Sequence, residues 1–213
     1  LFQDIIINWF YFNCRKFPWR ETKDPFKVLI AEILLHQTFA RKVVPIYSKL
    51  TSLYPNPNIL SKANEADIKG IIMPLGLLYR AKTLVSLANE IMSKYKGIVP
   101  NEMKDLMSLP GVGDYTASAV LCFAYSQAVP VVDRNVIRVY KRLFSIQKPL
   151  NKINPTKKFL QSAAKLVPND HSREYNFGLL DFAAMVCKHY SPDCNICPAF
   201  KICGFKEEMN DLR

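Results

Sequence analysis

Four cysteines near one end of the chain carry its densest chemistry. Cys187, Cys194, Cys197 and Cys203 form the pattern C-x6-C-x2-C-x5-C, with only Cys14 and Cys122 elsewhere. Four thiolates at such short spacing can converge on one soft metal centre. Zinc and an iron–sulfur cluster are the two serious candidates, and spacing alone does not choose between them. A pair of disulfides is the third reading. It is disfavoured because the other two cysteines are scattered and a chain of 213 residues folds without such staples.

A second constellation precedes the cysteines. Leu109-Pro110-Gly111-Val112-Gly113 lies between two helical patterns. Its glycines let the backbone turn tightly without a Cβ clash. The following helix then starts with unpaired N–H groups, and these together with the helix dipole suit a phosphate oxygen. This arrangement is a helix–hairpin–helix grip on a DNA backbone, with Gly111, Val112 and Gly113 as its contacts. Twenty residues beyond Gly113 stands Asp133, in Val131-Val132-Asp133-Arg134-Asn135. An acid between an apolar segment and a new helix is a standard N-cap. Accepting backbone N–H bonds also favours its ionised form, so the same carboxylate suits positive charge developing on a sugar.

The elements that must position these groups read as helices throughout. Apolar periodicity predicts helices over residues 1–11, 25–39, 43–53, 65–72, 79–96, 103–108, 114–126, 135–144, 155–167 and 172–186, with a short turn at 198–200. Asp24 is the expected N-cap of the second, with Pro25 at its first position. Asp114 is the expected cap after the hairpin. Residues 1–11 carry apolar side chains all round, which predicts a buried helix. No period-2 strand and no solenoid-length repeat stands out, so the fold class is all-α. Hydrophobic residues make up 49% of the chain, enough for a sizeable core. No apolar run is long enough to span a membrane and no signal peptide is visible. Clustered thiols fit an intracellular, reducing compartment, cytoplasm or nucleoid. The net charge is +11, from 29 Lys plus Arg against 18 Asp plus Glu, and it points to a polyanionic partner, most simply nucleic acid.

Together the hairpin, the acid after it and the four cysteines resemble the endonuclease III and MutY superfamily of DNA glycosylases. The resemblance runs from Phe17-Pro18-Trp19-Arg20 to Cys203. It implies a [4Fe–4S] cluster on the four cysteines. It implies two helical domains, a six-helix domain over residues 17–128 and a second built from residues 1–16 and 129–213. Double-stranded DNA with a mismatched or damaged base would lie across the cleft between them, bound by a monomer.

The branch within the superfamily turns on Tyr115. Endonuclease III carries a lysine nucleophile two residues after the last hairpin glycine, and a phenol there cannot form a Schiff base. A monofunctional glycosylase is therefore expected. Ala31-Glu32-Ile33-Leu34-Leu35-His36-Gln37-Thr38 resembles both monofunctional branches, the MutY-type adenine enzymes and the mismatch-specific thymine/uracil enzymes. Gly76-Leu77-Leu78-Tyr79-Arg80 and Asp133-Arg134-Asn135 depart from the adenine pattern, so thymine or uracil opposite guanine is the expected substrate, with adenine opposite 8-oxoguanine or guanine as the alternative. By the resemblance Asp133 stabilises the sugar cation and orients water. Glu32 and Tyr115 line the base pocket, and Glu32 protonates or hydrogen-bonds the leaving base, which requires a carboxyl neutralised by burial. Gln37 and Leu78 occupy the vacated stack or touch the opposite strand. Arg134, Arg138 and Lys188, with His189 and Lys201, are expected near phosphates. His36 reads as a histidine of the surface or groove rather than a reacting group.

Overall fold

The computed structural model describes residues 1–144 and 155–205, and every regular element among them is helical. The chain divides into two compact units, one over Lys16–Ser126 and one formed by Leu1–Arg15 with Gln127–Arg213.

The Lys16–Ser126 unit is organised around one buried helix. In chain order it holds a 3-10 turn at Pro18–Arg20, then α2 (Pro25–Leu35), α3 (Ala40–Leu53), α4 (Pro57–Ser61) and α5 (Glu65–Ile72). A second 3-10 turn at Met73–Leu75 leads to α6 (Tyr79–Tyr95), α7 (Met103–Met107) and α8 (Asp114–Phe123). Asp24 starts α2 as expected: its carboxylate accepts from the N–H of Phe26 at 2.9 Å and of Lys27 at 3.3 Å. Val28 through Leu34 are all buried, because α2 is covered by α3, α6, α8 and the Pro18–Arg20 turn. A helix with neighbours on every side has no polar face to display.

Several elements differ from the sequence expectation, among them α3, which starts at Ala40 and not at 43, and α8, which ends at Phe123 and not at 126. The helix expected to run to residue 39 ends at Leu35, since Gln37 takes a left-handed φ of 52° and breaks the ladder. The expected cap Asp114 is the first helical residue, and Gly113 is the cap. Helix α4 was not foreseen. Five residues give too little periodicity, although Asn56 caps it in the ordinary way, its side chain 3.0 Å from the Ile59 N–H.

The other unit contains α1 (Phe2–Asn13), α9 (Arg134–Phe144), α10 (Lys157–Ala164) and α11 (Ser172–Met185), followed by 3-10 turns at Cys194–Ile196 and Phe200–Ile202. Helix α1 is not buried all round. It packs one face on α11 and leaves Phe12 90% exposed. The approach is close at Gly178, where a Cβ would stand 3.0 Å from Ile6 Cγ2, from the Ile6 carbonyl oxygen and from Phe10 Cβ. Phe2 meets the rings of Tyr140 and Tyr175 edge-on, and the two phenol oxygens lie 3.0 Å apart in the core. Asp181, fully buried on α11, accepts from the Arg15 backbone N–H at 2.8 Å and from Nε at 2.7 Å, which satisfies its charge.

Candidate active site

Glu32 sits on the inner part of α2, 4% exposed. Burial disfavours its charged form and pushes its pKa up to about 7, against a smaller opposing pull from the Arg20 guanidinium. The carboxyl is therefore poised to hold a proton near neutrality, the state a donor to a leaving group needs. The chain leaves α2 through His36, Gln37 and Thr38. His36 is half-buried rather than on the open surface, and its Nε2 lies 3.0 Å from Thr116 Oγ1 on α8. Burial and the Arg80 cation both lower its pKa, so it stays neutral. Gln37 is exposed, as is Leu78 at the N-cap of α6.

The hairpin between α7 and α8 turns at Gly111, φ 78°, a conformation that favours glycine. A Cβ there would also meet Thr83 Cγ2 of α6 at 2.4 Å. Val112 is buried and its N–H closes the turn on the Leu109 carbonyl at 3.2 Å. Val112 thus holds the hairpin together, while Gly111 and Gly113 stay exposed. Tyr115 lies half-buried in the first turn of α8, one residue before the Thr116 that pairs with His36.

In the other unit Asp133 leads into α9. One carboxylate oxygen accepts from the Val136 N–H at 2.7 Å and the other from the Asn135 amide at 2.8 Å. The segment before it is fixed by Asn176, buried on α11. The Asn176 side chain accepts from the Val131 N–H at 2.9 Å and donates to the Val129 carbonyl at 3.1 Å. Arg134 is exposed on the same turn as Asp133.

None of the four cysteines of the C-terminal pattern is in a disulfide, and all four line one cavity together with Leu143, Phe182, Val186 and Phe200. Among the described residues no three His, Cys, Asp or Glu side chains are gathered on a single ion-sized point; the thiols ring the cavity instead. Arg142 braces the ring. It donates to the carbonyls of Lys188 at 2.6 Å and His189 at 2.9 Å, lies 3.5 Å from Cys187 Sγ, and stacks its guanidinium 4.8 Å from the Phe205 ring centroid.

Two of the residues expected near phosphates have partners within the protein. Arg138 donates to the carbonyls of Ala183 and Cys187 at 2.8 to 3.1 Å and to Asn135, so it caps the end of α11. Its fork meets carbonyls at the end of α11. Lys188 pairs with Asp193 at 2.9 Å in a half-exposed ion pair.

Residues 30–169 match the family described as HhH-GPD superfamily base excision DNA repair protein. The chain belongs to that superfamily. It is 41% identical to the thymine/uracil-DNA glycosylase of Pyrobaculum aerophilum over 97% of this chain and 92% of that one. It is 38% identical to the thymine-DNA glycosylase of Aeropyrum pernix over 93% and 91%. Its 33% identity to the adenine DNA glycosylase of Buchnera aphidicola covers 95% of this chain but 58% of that enzyme. Among solved structures it superposes on a thermostable thymine-DNA glycosylase with a TM-score of 0.91 at 36% identity, covering 97% and 95% of the two chains. It superposes on endonuclease III in a trapped covalent complex with DNA with a TM-score of 0.82 at 26% identity, over 97% and 95%.

Four residues of this HhH-GPD protein escaped the sequence reading. Arg80 and Arg142 brace loops from inside, Asn176 holds the approach to Asp133, and Leu77 shares the exposed turn with Leu78 at φ 52°. An arginine that bonds carbonyls far away in sequence leaves no local pattern. Only Leu77 had a visible signal, in its place after Gly76.

Proposed function

We propose that the protein is a monofunctional DNA glycosylase that hydrolyses the N-glycosidic bond of thymine or uracil mispaired with guanine. The observation that carries the chemistry is Glu32, a carboxyl held protonated near neutral pH inside a DNA-repair fold. The choice of base rests on the similarity to enzymes named for thymine and uracil along nearly their whole length.

The bond breaks heterolytically, leaving positive charge on the sugar and negative charge on the base. Glu32 supplies a proton or a hydrogen bond to the departing base, lined by Tyr115. Asp133 balances the sugar cation and orients the water that replaces the base. Its two oxygens are held in place by the Val136 N–H and the Asn135 amide. Tyr115 offers no amine, so the abasic product is not carried through a Schiff base. Gln37 presents a donor and an acceptor to the orphaned guanine and Leu78 fills the stack. Gly111, Gly113 and Arg134 bind phosphates, which gives affinity without base choice.

Cys187, Cys194, Cys197 and Cys203 would hold a [4Fe–4S] cluster. A single zinc ion at Zn–S distances of about 2.3 Å needs four sulfurs on one small tetrahedron. Four thiols lining one cavity, with the Arg142 cation beside them, suit a negatively charged cluster of the kind that the resemblance to endonuclease III implies. The cluster would supply a structural anchor for the loop, since hydrolysis transfers no electron. Such a metal-thiolate site and a DNA substrate imply an intracellular enzyme, acting as a monomer on duplex DNA.

The test uses end-labelled duplexes with one T:G, U:G, A:8-oxoguanine or A:G pair, each reaction split between alkali and neutral buffer. Strand scission at T:G or U:G only after alkali, with no borohydride-trapped adduct, is expected. Loss of adenine instead would move the protein to the adenine branch. Scission in neutral buffer with a trapped adduct would refute the monofunctional assignment.

A further inference from the structure

Arg80 takes no part in the chemistry above, yet it is 1% exposed, among the most buried side chains of the molecule. Its guanidinium reaches from the first turn of α6 to the end of α2. Nη1 donates to the Leu34 carbonyl at 2.8 Å, and Nη2 donates to Thr38 Oγ1 at 2.8 Å and to the His36 carbonyl. The Leu34 carbonyl is one of the last four of α2, which lack an intrahelical N–H, and a cation there also meets the negative end of the helix dipole. A cap of that kind needs one donor. Arg80 spends two nitrogens on three oxygens spread over residues 34–38, and a planar fork fixes their relative positions where a flexible ammonium would not.

The oxygens bracket Gln37. Arg80 itself follows Leu77 and Leu78 by three and two residues. Gln37 and Leu77 each hold a φ of 52°, which non-glycine residues keep only where the surroundings impose it. One turn further along α6, Thr83 backs the hairpin at Gly111. The start of α6 thus carries one exposed turn on its backbone and grips the other through a single buried side chain.

We propose that Arg80 is a positioning residue that locks the Gln37 turn to the Leu77–Leu78 turn, so that reading the orphaned base and filling the vacated stack occur as one event. The proposal rests on the roles given above to Gln37 and Leu78 but not on which base is excised.

The experiment therefore uses duplexes with a stable tetrahydrofuran abasic analogue opposite each of the four bases, and 2-aminopurine next to the analogue to report unstacking. Affinities are measured at one fixed salt concentration. The intact protein is expected to favour one orphan base by about tenfold, the value of one well-placed pair of base contacts. Arg80→Lys should flatten that preference to within about threefold and decouple the 2-aminopurine signal from the orphan base, with affinity for undamaged duplex unchanged. Thr38→Val removes one hydroxyl from the fork and should lose part of the preference without risk to folding. A purely structural role would lower the active fraction and leave the preference ratio where it was. Wild-type preference in both variants, or no orphan preference in the intact protein, would overturn the proposal. If Arg80→Lys does not fold, the Thr38→Val ratio decides. Failure of the intact protein to release thymine or uracil would sink the substrate reading alone, since the abasic duplexes still report the coupling.

Discussion

Replacing Glu32 by glutamine should make the protein more stable and less active at once. Glu32 titrates at about 7 in the folded chain against 4.5 for an unperturbed carboxyl. Ionising it therefore costs the folded state about 3 kcal/mol more than the unfolded state. Below pH 4.5 both states hold the proton and the residue adds no pH dependence. Between 4.5 and 7 the folded state keeps a proton that the unfolded state has released, so stability falls as pH rises. Above 7 the full penalty of about 3 kcal/mol is in place and the curve is flat again. Glutamine is the nearest neutral isostere and carries none of it. For a chain of this size each kcal/mol moves Tm by about 2–4 °C, so Glu32→Gln should melt about 6–12 °C above wild type at pH 8 and close to it at pH 4. Paired urea titrations across that range, followed by the fluorescence of buried Trp19, measure the difference directly, and other groups cancel in it. Single-turnover excision by the variant should fall at every pH, while wild type loses activity above pH 7 as the proton leaves. Equal pH dependence of stability in the two proteins would refute the argument, because it would mean that Glu32 titrates alike in the folded and unfolded chain.

Asp133→Asn should abolish turnover and leave stability and duplex affinity nearly intact, since asparagine caps α9 as well as aspartate does; a single-turnover rate within threefold of wild type would remove the carboxylate from the mechanism. Arg142→Gln should release iron to a chelator faster than wild type while the helical circular dichroism is unchanged, because it loosens the Lys188 and His189 carbonyls and not a helix. Gly178→Ala should cost about 1–3 kcal/mol, read as a lower Tm, since its methyl group meets Ile6 and Phe10 at 3.0 Å.

Periodicity and punctuation made the helical class and most helices legible, because a buried stripe must recur at the helical repeat. The failures cluster where tertiary contacts outvote local preference. The segment His36–Phe39 contains neither Gly nor Pro and is helix-competent, yet Arg80, bonded to oxygens of Leu34, His36 and Thr38, holds it out of the helix. The chemistry of the site was legible where a residue type is unusual for its place: an acid amid the apolar residues of α2, a carboxylate before a helix, four clustered thiols. The side chains that hold these groups were not legible, since their partners lie 35 to 61 positions away.

The same distinction applies to charge. A formal +11 suggests a field of cations available to phosphate. Yet Arg15 is bound to Asp181, Arg80 to the end of α2, Arg138 to the end of α11, and Arg142 to the cysteine loop. Arginine is chosen for such sites because its fork satisfies several carbonyls at once and it stays charged when desolvated. These cations still contribute to the long-range potential that draws DNA in, but with their donors engaged inside the protein they should add little direct contact or counterion release at a phosphate. The salt dependence of binding should accordingly fall well short of what the basic composition implies. The slope of log Kd against log salt should change little when Arg138 is replaced by glutamine, whereas replacing the exposed Arg134 should reduce it by about one. A reduction of that size for Arg138 would show that its guanidinium leaves the α11 carbonyls to meet the DNA.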